Sequence, residues 1–179
     1  SASIEPAGAT TSDTLSVLPT GWTDDDGDTE GYLYQWSIED PSGNIVPGGT
    51  AATLDFSTTL RGDSITVEVT PTDGTDSGST VLAGPVVIAN TLPSAPTVEV
   101  TPSLPTISDD LTCSITGAST DPDVDDGIDS LSYEISWFEG STHQPPYDVS
   151  SADTSGTSIV PASATTTGET WACEVIPSD

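Results

Sequence analysis

The sequence predicts an all-β protein made of two tandem β-sandwich domains. Its apolar residues fall in short runs that alternate with polar residues and are rich in β-branched and aromatic side chains, as in strands that bury one face. The two halves of the chain align with each other, which indicates one structural unit present twice. In the second half, Cys113, Trp137 and Cys173 stand on three of these strand-like runs. No helical periodicity of useful length appears.

The internal repeat sets the domain organisation. Three pairs of segments align, with offsets of 96, 101 and 106 residues: 12–17 with 108–113, 32–36 with 133–137, and 62–71 with 168–177. The growing offset means that the second copy carries two insertions. We expect domains at 1–91 and 92–179. The segment 90–96 joins them, and its two prolines favour an extended, stiff linker.

Strands are expected where period-two runs stand between turn residues. Glycine and proline clusters such as 40–43, 47–49 and 73–74 are interpreted as the turns. In the first copy the expected strands lie near 2–5, 14–18, 31–38, 53–56, 64–70 and 81–89. In the second copy they lie near 97–101, 111–115, 132–138, 158–160 and 170–176.

The series Cys113, Trp137, Cys173 resembles an immunoglobulin-like β-sandwich. In that fold, cysteines on the second and sixth strands, B and F, meet across the core beside a tryptophan on the third strand, C. The resemblance implies a Cys113–Cys173 disulfide and places the chain in an oxidising compartment. Val17 and Val67 stand at the cysteine positions of the first copy, which therefore lacks the disulfide.

Longer motifs extend the resemblance over essentially the whole chain. They are Asn-x-x-Pro-x-Ala-Pro at 90–96, Ser-Asp-Asp-Leu-Thr-Cys at 108–113, Tyr-x-x-x-Trp at 133–137 and Gly-Glu-x-Trp-x-Cys at 168–173. Together they look like the tandem immunoglobulin-like repeats of very large bacterial surface proteins, which are similar to PKD-type and cadherin-type modules. The resemblance implies an extracellular, cell-surface protein that forms a calcium-dependent stalk, adhesin or filament.

The second copy has no counterpart of the last strand expected in the first, near 81–89. An open sandwich exposes an unpaired sheet edge and leaves a slot in its core. Either the chain is an excerpt of a longer tandem array, or another molecule supplies the strand. We favour the excerpt, because Ser1 leads directly into the first strand and leaves no spare segment to donate.

The charge of the chain excludes several classes of partner. There are 29 acidic residues against one basic residue, Arg61, and the formal net charge is −28. Binding to nucleic acid through phosphate neutralisation needs a cationic surface that this chain lacks. No apolar run approaches the roughly 20 residues that span a bilayer, so membrane insertion is not expected. Clustered carboxylates instead attract hard cations, above all Ca²⁺.

Two aspartate-rich loops between the second and third strands of each copy are the candidate calcium sites. Aspartates that alternate near a glycine let a tight loop direct several carboxylates to one point. The first loop and the turn at the same end of the sandwich contribute Asp24, Asp26, Asp28 and Asp73. The second loop and its neighbour contribute Asp121, Asp123, Asp125, Asp126 and Asp179. The alternative is a pair of solvated acidic loops that hold no ion.

The remaining polar residues do not predict an enzyme. His143 is the only histidine, and no second imidazole or free thiol accompanies it for a triad or a zinc site.

Trp22 lies at a strand end and is a candidate surface for packing against a sugar ring.

Two functions are therefore expected from the sequence. The first is a structural subunit or repeat segment of an extracellular bacterial filament or surface stalk, stiffened by calcium at the acidic loops. Its partners are copies of itself or further repeats of the same chain, with strand or end-to-end complementation between units. The alternative is an adhesin module that binds a glycan or a host protein through its loop ends.

Overall fold

A computed structural model describes residues 1–23, 27–125, 127 and 130–179. The chain separates into two compact units, Ser1–Thr91 (unit 1) and Leu92–Asp179 (unit 2). All strand pairs within the two units are antiparallel.

Unit 1 is a sandwich of a three-stranded and a four-stranded sheet. Its strands are β1 Ala2–Glu5, β2 Leu15–Pro19, β3 Gly31–Glu39, β4 Ile45–Gly49, β5 Thr53–Leu54, β6 Ser64–Thr72 and β7 Val81–Val87. The sheet orders are β1-β2-β5 and β4-β3-β6-β7. The inward side chains of both sheets form one core around the fully buried Trp36.

Unit 2 has the same plan. Its strands are β8 Thr97–Thr101, β9 Leu111–Gly117, β10 Ser132–Glu139, β11 Thr142–His143, β12 Val149–Ser151, β13 Thr157–Val160 and β14 Trp171–Ser178. One sheet has the order β13-β9-β8; in the other, β10 pairs with β14 along its full length and with β11 and β12 at its two ends. Its core is built around the fully buried Trp137.

Equivalent turns precede the second strand of each unit. The carboxylate of Asp13 accepts the N–H of Thr10 at 2.8 Å, and the carboxylate of Asp109 accepts the N–H of Thr106 at 2.8 Å. Such a local side-chain bond stabilises a turn against competing strand geometry. The repeat seen in the sequence is therefore reproduced at the level of individual hydrogen bonds.

A disulfide joins Cys113 on β9 to Cys173 on β14, with a sequence separation of 60 residues. It connects the two sheets of unit 2 beside Trp137. The corresponding positions of unit 1, Val17 and Val67, are both buried in its core. At the positions where a covalent bond joins the sheets of unit 2, unit 1 thus has two buried core valines.

Several local predictions are corrected by the structure. Residues 47–49, interpreted as a turn, belong to β4, and the segment near 53–56 is a two-residue strand followed by a 3-10 turn at Phe56–Thr58. The acidic segment of unit 2 contains a one-turn helix, α1, at Pro122–Asp125. The insertion after Trp137 contains the short strands β11 and β12. Trp171, at an inward position of β14, is only half-buried.

Candidate metal centre

The loop between β9 and β10 brings two aspartates into the interior of unit 2. Asp121 stands immediately before α1, and its Oδ1 accepts the N–H of Asp123 at 2.8 Å. This is the bond of a helix N-cap, and Pro122 suits the first helical position because no backbone donor is needed there. The side chains of Asp121 and Asp123 are 2% and 0% exposed.

Neighbouring hydrogen bonds hold the start of this loop in place. Ser94 donates its N–H to the carbonyl of Thr120 at 2.9 Å, and the N–H of Thr120 donates to the hydroxyl of Ser94 at 2.8 Å. The N–H of Ser119 donates to the hydroxyl of the buried Tyr133 at 3.0 Å. These three bonds, on the successive residues Ser119 and Thr120, therefore fix where Asp121 enters the interior.

Asp179 reaches the same place from the end of β14. Ser178 pairs with Ser132, the first residue of β10, and the loop that carries Asp121 and Asp123 leads into that same end of β10. Carboxylate oxygens of Asp121, Asp123 and Asp179 all lie within 4.8 Å of one another. Shared loop ends in a sandwich are the reason why residues 56 or more positions apart can meet here.

The geometry fits one hard cation. Calcium binds oxygen ligands at about 2.3–2.6 Å, so two oxygens on the same ion are at most roughly 5 Å apart. Ionised carboxylates buried together repel one another, and each costs several kcal/mol of desolvation unless a cation or a proton compensates. The only Lys or Arg of the chain is Arg61, in unit 1. Three carboxylates, two of them buried, thus form an oxygen cluster in a unit that has no Lys or Arg.

A buried hydroxyl near the cluster was not predicted from the sequence. The Oγ of Ser119, a residue that is 6% exposed, has no hydrogen-bond partner among the residues that the structure describes. Buried hydroxyls are normally satisfied. Nothing in the sequence marks this serine among many others, because its burial depends on how the loop packs against Tyr133.

The other predicted ligands of unit 2 and of the first loop are only partly covered by the structure. The backbone of Asp125 belongs to α1, while its side chain and all of Asp126 lie outside what the structure describes, as do Asp24 and Asp26. Asp28 is exposed in the loop between β2 and β3. The first candidate site therefore stays a prediction.

Asp73 is engaged in a local turn after β6. Its Oδ1 accepts the N–H of Asp76 at 2.7 Å and the N–H of Thr75 at 2.6 Å. These two bonds hold the pKa of Asp73 below its usual range, because they favour the charged form. In the described part of the chain, the close group of three carboxylates is the one in unit 2, and Asp73 does not belong to it.

A second feature of unit 1 is an aromatic cleft at Trp22. The indole packs edge-to-face on Tyr32, with ring centroids 6.0 Å apart, and borders a cleft of about 340 Å³ that Pro71, Asp73 and Asp76 also line. The hydroxyl of Tyr32 donates to Glu30, and this bond, with burial and the charge of Glu30, raises the pKa of Tyr32 to about 12. An aromatic face beside carboxylates and a hydroxyl combines apolar and hydrogen-bonding surface.

His143, the only histidine, pairs with Asp148 at 3.0 Å on the surface of unit 2. The two residues flank the short turn between β11 and β12. The bond therefore ties the two ends of one turn together.

No helix of the described residues is both long and apolar enough to cross a membrane.

Comparison with known proteins places the chain by its fold. No protein-family model and no curated protein matches the sequence. The structure is similar to that of the chicken interferon gamma receptor alpha chain, with a TM-score of 0.54 and 11% identity over 99% of this chain and 87% of that chain. It also matches a Ca²⁺-stabilised, ice-binding adhesin of an Antarctic bacterium, with a TM-score of 0.34 and 13% identity over 99% of this chain and 48% of that one. The second likeness is too low to carry an argument.

At 11% identity, the first likeness shows the fold and nothing about activity. Each unit consists of two sheets, in agreement with this fold. The predicted class is therefore confirmed: the chain has an all-β, immunoglobulin-like β-sandwich fold.

Proposed function

We propose that this protein is a structural repeat segment or subunit of an extracellular bacterial filament or surface stalk, stiffened by calcium. The observation that carries the proposal is the burial of Asp121 and Asp123 against a carboxylate of Asp179. Without a cation, this cluster opposes the folding of unit 2 through repulsion and desolvation. A bound cation would instead link the loop after β9 to the end of β14 and so stabilise the folded unit. The disulfide supports an extracellular location.

Calcium is expected to raise the melting temperature of unit 2 relative to chelator. At a concentration 100 times its dissociation constant, an ion that binds only the folded state stabilises it by about 2.7 kcal/mol. The corresponding shift is roughly 10–20 °C for a domain of this size. Differential scanning calorimetry of the oxidised chain in EDTA and in CaCl₂ measures it, and the transition of unit 1 serves as an internal reference.

The double substitution Asp121→Asn and Asp123→Asn separates ion binding from a merely structural role. It should abolish the calcium-dependent shift. In EDTA it should leave unit 2 at least as stable as in the unchanged protein, because it removes buried charge. Asp153→Asn is the matched control: Asp153 lies in unit 2 and accepts the N–H of Ser155 in a local turn, so the calcium shift should persist. Identical melting curves in EDTA and calcium would contradict the proposal. Electron microscopy that finds the calcium-loaded, full-length protein only as dispersed monomers would contradict the filament.

An adhesin module that binds glycans is the second candidate, and the cleft at Trp22 favours it. Sugar rings pack their apolar faces on aromatic side chains while carboxylates accept their hydroxyl protons. Trp22→Ala should abolish binding on a glycan array, whereas Phe56→Ala, which removes another exposed aromatic residue of unit 1, should not. An array on which the unchanged protein binds no glycan would exclude this function.

A further inference from the structure

The outer edge of β14 differs from that of its counterpart in unit 1. There, β6 lies between β3 and β7, and pairs with both. β14 pairs with β10 through eight residues, and no other strand of the described chain pairs with it. Its outward N–H and C=O groups form a strand-length template for hydrogen bonds.

The core behind this edge is correspondingly open. The repeat aligns three inward side chains of β6 with three of β14. The aligned pairs are Ile65 with Trp171, Val67 with Cys173, and Val69 with Val175. The three residues of unit 1 are at most 1% exposed, whereas the three of unit 2 are only partly buried. Ile4 of β1, 4% exposed, likewise corresponds to the half-buried Val100 of β8. The aligned side chains are thus more exposed to solvent in unit 2 than in unit 1.

A cleft of about 440 Å³ continues from this edge. Pro105, Ile107, Gly168, Glu169 and Trp171 line it, and the side chain of Ile107 is 65% exposed. An exposed isoleucine beside a half-buried tryptophan forms an apolar surface of the kind that marks an interaction site.

In unit 1 the equivalent place is filled by the chain that follows β7. Ile88 and Ala89 lie there, and Ile88 is 1% exposed. Their backbone groups make four hydrogen bonds of 2.8–3.2 Å: Gly62 N–H to Ile88, Ile88 N–H to Asp63, Ala89 N–H to Ala9, and Thr11 N–H to Ala89. The counterparts of these four partners in unit 2 are Gly168, Glu169, Pro105 and Ile107, which all line the cleft. Within the described chain, no hydrogen bond engages the N–H of Gly168 or Ile107.

We propose that the outer edge of β14 and this cleft form one groove that binds an extended, uncharged aliphatic strand of the β7 type. The strand runs antiparallel to β14 and is donated by a further unit of the assembly. This inference rests on the proposed function and deepens it, because it assigns the surface and the chemistry through which units complement one another. The recognition is strand addition: the backbone supplies affinity, and alternate side chains enter the core.

The chemistry of the donor follows from charge and from close packing. Residues 77–90 of unit 1 contain no charged side chain, in a chain with a net charge of −28. Unit 2 holds no Lys or Arg, so an uncharged strand can approach it, whereas two β14 edges would bring like charges together. Gly84 has a φ of +98°, and a Cβ there would lie 2.6 Å from the carbonyl oxygen of Ile65. The donor therefore needs a glycine where it crosses the position of Trp171.

The test uses a labelled synthetic peptide with the sequence of residues 79–90, titrated into the oxidised full chain. Fluorescence anisotropy should show saturable binding, and the emission of Trp171 should shift to shorter wavelength as its ring is covered. The control peptide carries Ala83→Asp and Val86→Asp at the two inward positions, which are 3% and 7% exposed in unit 1. It should bind at least about tenfold more weakly, since a tenfold loss needs only about 1.4 kcal/mol.

A graft tests the groove without relying on the solubility of the peptide. Asp179 aligns with Asp73, so residues 74–90 appended after Asp179 should fold back along β14 in the register of β7. Acrylamide quenching of Trp171 should fall, and the melting temperature of unit 2 should rise, relative to the same graft with the two aspartates. Equal results for the two grafts and for the two peptides would overturn the inference, as would a dimer of the unmodified chain in which the two β14 edges pair with each other. Calcium-dependent melting is independent of both, so the groove and the proposed function can fail separately.

Discussion

Replacing Trp137 with alanine is expected to lower the free energy of unfolding of unit 2 by about 3–5 kcal/mol. The side chain is fully buried at the centre of its core, and its Nε1 donates to the Oγ of Ser158 at 3.0 Å. The substitution leaves a cavity and also removes the donor from a buried hydroxyl, although Ser158 keeps its own bond to the carbonyl of Tyr147. Urea unfolding followed by far-UV circular dichroism measures the loss.

The repeat supplies the matched variant for this prediction. Trp36→Ala should destabilise unit 1 by a similar amount, because Trp36 is also fully buried and donates to the carbonyl of Ala51 at 2.9 Å. Each substitution should shift only the transition of its own unit. A loss below about 1 kcal/mol for either variant would contradict the prediction, because it would mean that the core closes over the space left by the indole.

Reducing the Cys113–Cys173 disulfide is expected to destabilise unit 2 by about 4 kcal/mol. The bond closes a loop of 60 residues, and cross-linking a loop of this length restricts the unfolded chain by roughly that amount on the chain-entropy model. For a domain of this size the melting temperature should fall by roughly 15–30 °C. Calorimetry with and without a reductant measures the shift, and unit 1 should be unaffected.

The valines of unit 1 provide the reciprocal experiment. Val17→Cys with Val67→Cys places a thiol pair at the positions that align with the natural disulfide. If the two units are equivalent at this contact, the pair should oxidise and raise the melting temperature of unit 1. A reductant that leaves the melting temperature of unit 2 unchanged would show that packing alone holds its sheets together.

Much of the fold was predictable because strand patterns are local. Alternating apolar residues placed the segments that became β1, β2, β3, β6 and β7, and the repeat carried the same positions into unit 2. The strand β4 was missed, because Pro47 and Gly48 are typical of a turn. In the structure, a Cβ on Gly48 would lie 2.9 Å from the Cβ of Trp36, so this glycine permits a close crossing over the core. That contact joins residues that the local pattern cannot connect.

The candidate site was predictable only in part. The loop chemistry identified aspartates as ligands, and the shared loop ends of a sandwich suggested that Asp179 joins Asp121 and Asp123. Depth of burial was not foreseeable: Asp123 is fully buried, whereas Asp73, in a loop of similar composition, bonds to the turn that follows it. Which carboxylates reach a common point depends on α1 and on the bond between Ser119 and Tyr133.

Residue order alone was enough to predict the two-unit all-β plan, the absence of a cationic surface, and the cysteines that stand where unit 1 has valines. These properties depend on residue order and on the period of a single strand. The folded chain was needed to show that Asp121, Asp123 and Asp179 meet, and that Trp171, Cys173 and Val175 are only partly buried. Whether a side chain is buried depends on the elements that pack around its strand as well as on the strand itself. The inward pattern of β6 and β14 is the same, but β6 has β7 beside it and β14 has no such neighbour in the described chain.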